Sequence, residues 1–478
     1  MIATFFHWFS LFIQYGFLAY FLLLTAGVLL INLVAAVTIT RHLNRTPTRN
    51  RAIHEAFSGF VPPISILVPA YNEEATIEAT VRSLNQTNYP EYEIIVINDG
   101  SKDGTLEAAR KAFGLELFPE AMQQRLSHAA IRGIYRSSLY PNLRLIDKEN
   151  GGKADSLNAG INASRYPLFC GIDADSILQQ DSLLRCVQPF LEDPRTIVSG
   201  GTIRLANGCK VEAGFLNEIG MPKNPLALVQ VAEYLRAFLF GRLGWSPMNA
   251  LLIVSGAFGI FHRETVVRVG GYSVGTIGED MELIVRLHDV MIREGKAYRI
   301  VFVPDPICWT EAPETLKVLR SQRIRWQRGL LESLWKHRSL MFRRGSGAVG
   351  WLSFPYMTLF EAIEPLIEVG GIVFFLVSAW FGVIDWSAAV LFLVLVYVLG
   401  FLQTLNAVLL EEVSYRLFQN YRQIFKLLFA TLLESFGYRQ MNTWWRLLGV
   451  IQWALKRKQE WGNMTRKASW ASDGDVRR

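Results

Sequence analysis

Charged positions are absent from the first stretch of the chain. Between Met1 and Thr40 there is no Asp, Glu, Lys or Arg, and FLAYFLLLTAGVLLINLVAAV (17–37) is almost wholly apolar. About 20 such residues cross a bilayer as a helix, so a membrane span is predicted at 17–37. Residues 1–15 are predicted as an interfacial helix, with a cramped two-span hairpin as the alternative. A signal peptide fits poorly, because no basic residue precedes the apolar run and the run is too long. The basic RHLNRTPTRNR that follows puts residue 41 onward in the cytoplasm.

From about residue 60 to 315 the pattern changes. Short β-branched runs alternate with helical periodicity: ISILVPA, a helix from about Glu74, EIIVIND, a helix from about Gly104, LRLIDK, a helix from about Ala154, then YPLFCGIDAD. Strand–helix alternation predicts an α/β fold with a largely parallel sheet. Ligands of such sheets sit at the carboxyl ends of the strands. The polar clusters PAYNE, NDGSKDGT and DADS fall there.

Beyond Trp351 the chain is apolar again. Spans are predicted at about 356–382 and 388–410, with a weaker, re-entrant pair at about 424–438 and 443–455 interrupted by YRQMNT. The predicted segments are therefore 1–59 (span and basic linker), 60–315 (soluble α/β domain), 316–348 (amphipathic interface helices), 349–456 (membrane helices) and 457–478 (basic cytoplasmic tail).

Composition sharpens this division. Hydrophobic residues make up 51% of the 478 positions and charged residues 19%, and the mean hydropathy is +0.21. The net charge of +7 is bunched at Arg41–Arg51, Arg320–Arg344 and Lys456–Lys467, each beside an apolar segment, as cytoplasmic flanks are. No nucleic-acid motif accompanies it, so a nucleic-acid partner is not expected. Cys170, Cys186, Cys209 and Cys308 show no CxxC spacing and read as buried thiols in a reducing compartment.

Five stretches carry candidate chemistry. In DADS, Asp173 and Asp175 alternate by two, so on an extended segment both carboxylates face one way; hard oxygen ligands at a strand end suit Mg²⁺ or Mn²⁺, although a turn or cap uses the same letters. In NDGSKDGT, Asp99 ends a strand and could accept from a base or ribose, or serve a turn. In IGEDMELIVRLH, Glu279 and Asp280 open a helix, where acids suit the dipole and where a carboxylate base could face a pocket. In QRIRW, Gln322, Arg325 and Trp326 share a helical face at i, i+3 and i+4; guanidinium suits phosphate, and an indole face suits a sugar ring. An amphipathic helix at the membrane surface explains the same stretch. In LFEAIEPLIEVGG, Glu361, Glu364 and Glu368 align on one helical face, bordering either a polar path or water.

VPAYNEE, NDGSKDGT, NGGKADSLNAG, DADS, GED and QRIRW, in this order, resemble the family 2 membrane glycosyltransferases, the group of cellulose, chitin and hyaluronan synthases. Among these the chain looks like the bacterial poly-N-acetylglucosamine synthase type, with which the tail WGNMTRK agrees. The resemblance covers roughly residues 60–470. Each motif alone is weak; the set is specific.

The resemblance implies an α/β GT-A (Rossmann-like) cytoplasmic catalytic domain with transmembrane helices in the bacterial inner membrane. It implies a UDP-sugar donor, UDP-N-acetylglucosamine by preference, with Mg²⁺ or Mn²⁺ as cofactor. By position, Ala70, Tyr71, Glu73 and Asp99 would line the uridine pocket, Lys153 and Asp173 would contact the nucleotide, and Asp175 with Asp173 the metal. Asp280, beside Glu279, would be the general base, and Gln322, Arg325 and Trp326 the diphosphate and acceptor platform. The product would be a β-linked polysaccharide, exported through the membrane helices. The implied partners are a glycan or lipid-linked acceptor, membrane lipid and regulatory or export subunits.

Three alternatives stay open. One is single-sugar transfer to a lipid-linked acceptor, although dolichyl-phosphate-mannose-like synthases lack QxxRW; another is a glucan synthase using UDP-glucose. A silent scaffold that retains nucleotide binding is the third, against which the intact acids argue. Two departures stand out. VSGAFG (254–259) replaces the FFCGS-like segment of cellulose synthases, and residues 113–141 form an extra element of unassigned function.

Overall fold

The computed structural model describes residues 2–57, 61–212, 215–415 and 420–457. The predicted tail from residue 458 onward lies outside them. Twelve strands are found among the described residues: β1 (Ile64–Ala70), β2 (Tyr92–Asp99), β3 (Leu115–Leu117), β4 (Ile131–Ser137), β5 (Leu143–Lys148), β6 (Leu168–Ile172), β7 (Ile177–Leu178), β8 (Thr196–Leu205), β9 (Lys210–Glu212), β10 (Phe215–Glu218), β11 (Phe258–His262) and β12 (Arg299–Thr310). Ten of them form one sheet in the order β3-β4-β5-β2-β1-β6-β11-β8-β12-β7, and β9 and β10 form a separate hairpin.

β1, β2, β5 and β6 coincide with the four apolar runs, and nearly every residue in them is buried, as expected of strands covered on both faces. They pair in parallel as β5-β2-β1-β6. The sheet as a whole is mixed, which corrects the largely parallel expectation. β4 joins β5 through the short turn 138–142, which permits only antiparallel pairing, and β11 runs antiparallel to both β6 and β8.

The extra element 113–141 supplies the edge strands β3 and β4. Its irregular middle lies against the helix Lys153–Ala163. Asn162 Oδ1 accepts from the amides of Arg125 (3.1 Å) and Leu126 (3.0 Å), and Asp155 accepts from that of Ala129 (2.9 Å). The insertion thus buttresses the helix that opens at Lys153.

At the N-terminus a single helix runs from Ile2 to Phe57. This replaces both the separate interfacial helix and the hairpin: around residue 15 the sequence offers one Gly and no Pro to break the helix. Two helical stretches, Ile13–Asn44 and Ala389–Tyr415, are long and apolar enough to cross a membrane. A third candidate is the pair Val349–Ala362 and Glu364–Trp380, bent by 42°. Large apolar side chains on these helices, such as Leu22, Leu30, Leu376 and Leu391, remain exposed, which in water would be untenable over so wide a surface. On these grounds the chain is a membrane protein. The last helices, Tyr421–Leu433 and Arg439–Ala454, have 13 and 16 residues. At 1.5 Å per residue they reach about 20 and 24 Å, short of the roughly 30 Å hydrocarbon core.

Buried charge pairs tie the sheet domain to these helices. Arg204 pairs with Glu411, Arg236 with Glu434 (2.7 Å), and His42 Nε2 lies 2.7 Å from Asp305. The stripe predicted at Glu361, Glu364 and Glu368 faces protein: Arg446 reaches Glu364 at 2.5 Å and Glu361 at 3.4 Å, and Thr443 donates to Glu368 at 2.7 Å. Acids at membrane depth are usually met in this way.

Candidate active site

The candidate residues gather where β1, β2 and β6 end. β1 closes on buried Ala70 and releases Tyr71, which is 39% exposed. The loop that follows is stitched to the one after β2: the Asn72 amide donates to Ser101 Oγ (3.0 Å), the Lys102 amide to Asn72 Oδ1 (2.9 Å), and the Glu73 amide to Thr105 Oγ1 (2.8 Å). The Glu73 carboxylate accepts from Thr76 Oγ1 at 2.7 Å, so it also secures the start of its own helix.

Asp99 is buried at the end of β2 and its carboxylate holds four protein donors. Oδ1 accepts from Lys148 Nζ (2.6 Å) and the Gly151 amide (2.9 Å); Oδ2 accepts from Asn150 Nδ2 (3.1 Å) and the Gly152 amide (2.8 Å). Its visible work is to shape the NGGK turn, where Gly152 sits at φ +89°, a conformation that favours glycine. Lys148, in register opposite Asp99, is fully buried and also pairs with Asp155 at 2.6 Å. Sequence reading missed Lys148 and Asp155. The available signal was a lysine closing an apolar strand, because such a charge is buried only when paired.

The same turn delivers Lys153 to the centre of the site. Its ammonium pairs with Asp173, donates to the Gly256 carbonyl (2.9 Å) and lies 3.9 Å from Glu279. Burial alone would lower its pKa, but Asp173, Glu279 and Asp280 together raise it. The helix Glu279–Arg293 begins here. Asp280 Oδ1 accepts from the Met281 amide at 2.8 Å. Its Oδ2 points to the Gly256 side, where a Cβ on Gly256 would lie 3.2 Å from both Asp280 Oδ2 and Lys153 Nζ. Lys153, Gly256, Tyr272, Glu279 and Asp280 line one cavity. Arg242, also missed, anchors the VSGAFG segment by donating to the Val254 carbonyl at 2.7 Å.

Asp173 and Asp175 do not lie on an extended segment. The Ser176 amide donates to the Asp173 carbonyl at 3.0 Å, closing a turn directly after β6, so the alternation argument fails there. Asp173 meets Lys153, whereas Asp175 is buried. Among the described residues no three His, Cys, Asp or Glu side chains cluster as a ligand set. Asp173, at the strand end beside Lys153, offers one carboxylate of the kind Mg²⁺ or Mn²⁺ takes when substrate phosphates and water complete its shell, and Asp175 follows two residues on.

QRIRW lies in the helix Leu316–Lys336. Gln322 is buried and its Oε1 has no hydrogen-bond partner among the described residues. Arg325 acts on the Glu279 carboxyl. Trp326 is 43% exposed, with the Arg323 guanidinium 4.6 Å from its ring. Arg323 itself is buried in a two-pronged pair with Glu233 (2.7 Å each), and Arg328 donates to the Arg457 carbonyl at 2.7 Å. A purely surface-lying amphipathic helix would leave these arginines in water; here they are fastened inside the protein.

Comparison with known proteins places this arrangement. The profile described as glycosyl transferase family 2 matches residues 65–213, and that of glycosyl transferase family group 2 matches 169–410, just over half of the chain. The chain belongs to glycosyl transferase family group 2. Among characterised members it is similar to the poly-beta-1,6-N-acetyl-D-glucosamine synthase of Staphylococcus aureus (strain COL), 30% identical over 310 residues. The match covers 64% of this chain and 62% of the relative. The enzyme of the same name from Staphylococcus epidermidis is 29% identical over 280 residues, covering 58% and 57%. The chain thus spans less than two thirds of the length of these relatives. In fold it resembles the mannosyltransferase PcManGT from Pyrobaculum calidifontis, with a TM-score of 0.50 at 18% identity, over 87% of this chain and 99% of that one. That likeness supports the GT-A reading of the sheet.

Proposed function

We propose that this member of the family is a membrane-embedded, inverting glycosyltransferase that uses UDP-N-acetylglucosamine to extend a β-linked polysaccharide and pass it across the membrane. The observation that carries the reading is the convergence of Lys153, Glu279 and Asp280 on one cavity at the carboxyl edge of the sheet, with Asp173 paired to Lys153 and Arg325 acting on Glu279. The similarity to the staphylococcal synthases supports the choice of donor.

In this mechanism Ala70, Tyr71 and Glu73 border the uridine, and Asp99 holds the turn that carries Lys153. Asp280 removes the proton of the acceptor hydroxyl, whose oxygen attacks C1 of the donor as the bond from C1 to the diphosphate oxygen breaks. Lys153 and Arg325 meet the charge that grows on the leaving diphosphate, an interaction that strengthens toward the transition state. A divalent ion held by Asp173 and Asp175 would supply further compensation of the diphosphate charge. Gln322 offers its unpartnered oxygen to a substrate hydroxyl, and the exposed Trp326 offers an apolar face to the acceptor sugar.

The donor assignment is tested by incubating the purified protein with UDP-N-acetylglucosamine, UDP-glucose and UDP-galactose, with Mg²⁺ or Mn²⁺ and in excess EDTA. UDP release is expected only with UDP-N-acetylglucosamine and only with metal. Turnover of UDP-glucose instead would overturn the donor choice, and full activity in EDTA would overturn the metal.

A pH profile follows from Glu279. Burial pushes its carboxyl up to about 7, Lys153 pulls against that rise, and Asp280 adds to it. Because the folded value lies above the ordinary one, its contribution to stability is complete below pH 4.5 and is lost as pH climbs through about 7. Loss of that proton sets a negative charge beside Asp280, where the acceptor proton is taken. Transfer should therefore rise between about pH 6 and 8, and Glu279→Gln should flatten that limb. An unchanged limb in the variant would assign it to another group.

A further inference from the structure

Two glycines from distant parts of the chain touch backbone to backbone at the edge of the site. A Cβ on Gly278 would come within 3.0 Å of Gly329 Cα, and a Cβ on Gly329 within 2.9 Å of Gly278 Cα and N. Gly278 immediately precedes Glu279 and Asp280, and Gly329 sits in the middle of the arginine helix. Gly278 has φ −110° and ψ 63°, so its φ does not demand glycine. What demands it is space.

The contact is framed by its neighbours. Arg325, Gly329 and Glu332 fall at i, i+4 and i+7, on one face of the helix. Glu332 Oε2 accepts from the Ile277 amide at 3.0 Å, and Arg325 acts on Glu279. One helical face thus lies along the turn that opens the acidic helix. On the opposite side Gly449 presses on the same helix, since a Cβ there would meet Gln327 Cβ at 2.9 Å and the Ile324 carbonyl at 3.0 Å. The arginine helix is held between two glycine contacts with no slack toward the acids.

We propose that the Gly278–Gly329 contact is a positioning device for sugar transfer: it fixes how closely the helix bearing Arg325 and Trp326 approaches Glu279 and Asp280. This rests on the transferase reading above. An added methyl group at either glycine must separate the two backbones by several tenths of an ångström or more, displacing the cation and the acceptor platform from the base together. Misplacement on the scale of 1 Å costs about 10²-fold in rate. The uridine side, built on β1 and β2, stays in place.

In Gly329→Ala, kcat for transfer from UDP-N-acetylglucosamine should fall by about tenfold to 100-fold, with a smaller change in KM for the donor and in affinity for UDP. Gly278→Ala should behave alike. Gly370→Ala, whose Cβ meets nothing within 4 Å, should match wild type. Alanine favours a helix over glycine, so a merely structural effect at 329 gives no kcat-specific loss. Amide hydrogen exchange over 276–282 and 322–332 should quicken in Gly329→Ala and not in Gly370→Ala, whether or not sugar is transferred. Unchanged exchange, or a Gly329→Ala enzyme with wild-type kcat, would overturn the positioning role alone. A wild type that transfers no sugar would overturn the functional reading on which it rests.

Discussion

Asp280→Asn should lower sugar transfer by about 10²- to 10⁴-fold, the usual range for loss of a general base, while nucleotide affinity stays near wild type. The amide keeps the shape of the side chain, and its oxygen can still accept from the Met281 amide as Oδ1 does at 2.8 Å. The other limb then becomes an NH₂ group on the Gly256 side, and that group takes up no proton. The proposed uridine contacts lie on other loops, so UDP binding measured by calorimetry should be preserved. More than about a tenth of wild-type kcat in the variant would remove Asp280 from the base role.

Lys148→Met should have the largest effect on stability. Lys148 is fully buried and joins Asp99 and Asp155, each at 2.6 Å. Removing the cation of a buried cluster leaves carboxylates uncompensated, at a cost of roughly 3–5 kcal/mol. The damage should also reach the nucleotide site, because the same Asp99 fixes the Gly151 and Gly152 amides ahead of Lys153. A lower melting midpoint and weaker UDP binding are expected together, and Asp155→Asn in the same chain should recover part of the stability. A midpoint equal to that of wild type would show that the cluster does not depend on its lysine.

How far the sequence announced these features depends on the range of the interaction. The parallel strands β1, β2, β5 and β6 were legible because each is a local apolar run, buried on both faces. The mixed character of the sheet was not, since β11 returns to β6 only after the long excursion through residues 173–257. The turn at Asp173–Ser176 defeated a period-two argument because one backbone hydrogen bond decides the conformation there. Motifs located Lys153, Glu279, Asp280 and Arg325 as single candidates. Their convergence, like the pairing of Lys148 with Asp99, depends on strand register and helix packing, which local pattern does not encode. The glycine contact between 278 and 329 is the extreme case: neither residue is remarkable until the helix lies against the turn.

The most direct test is the product itself. Purified protein in lipid nanodiscs would be given UDP-N-acetylglucosamine, a short N-acetylglucosamine acceptor and Mg²⁺ or Mn²⁺, and the glycan sized by mass spectrometry as UDP accumulates. The proposed function predicts chains that lengthen by successive N-acetylglucosamine units in step with UDP release. A product that stops after one added sugar, or UDP released with no glycan formed, would contradict it.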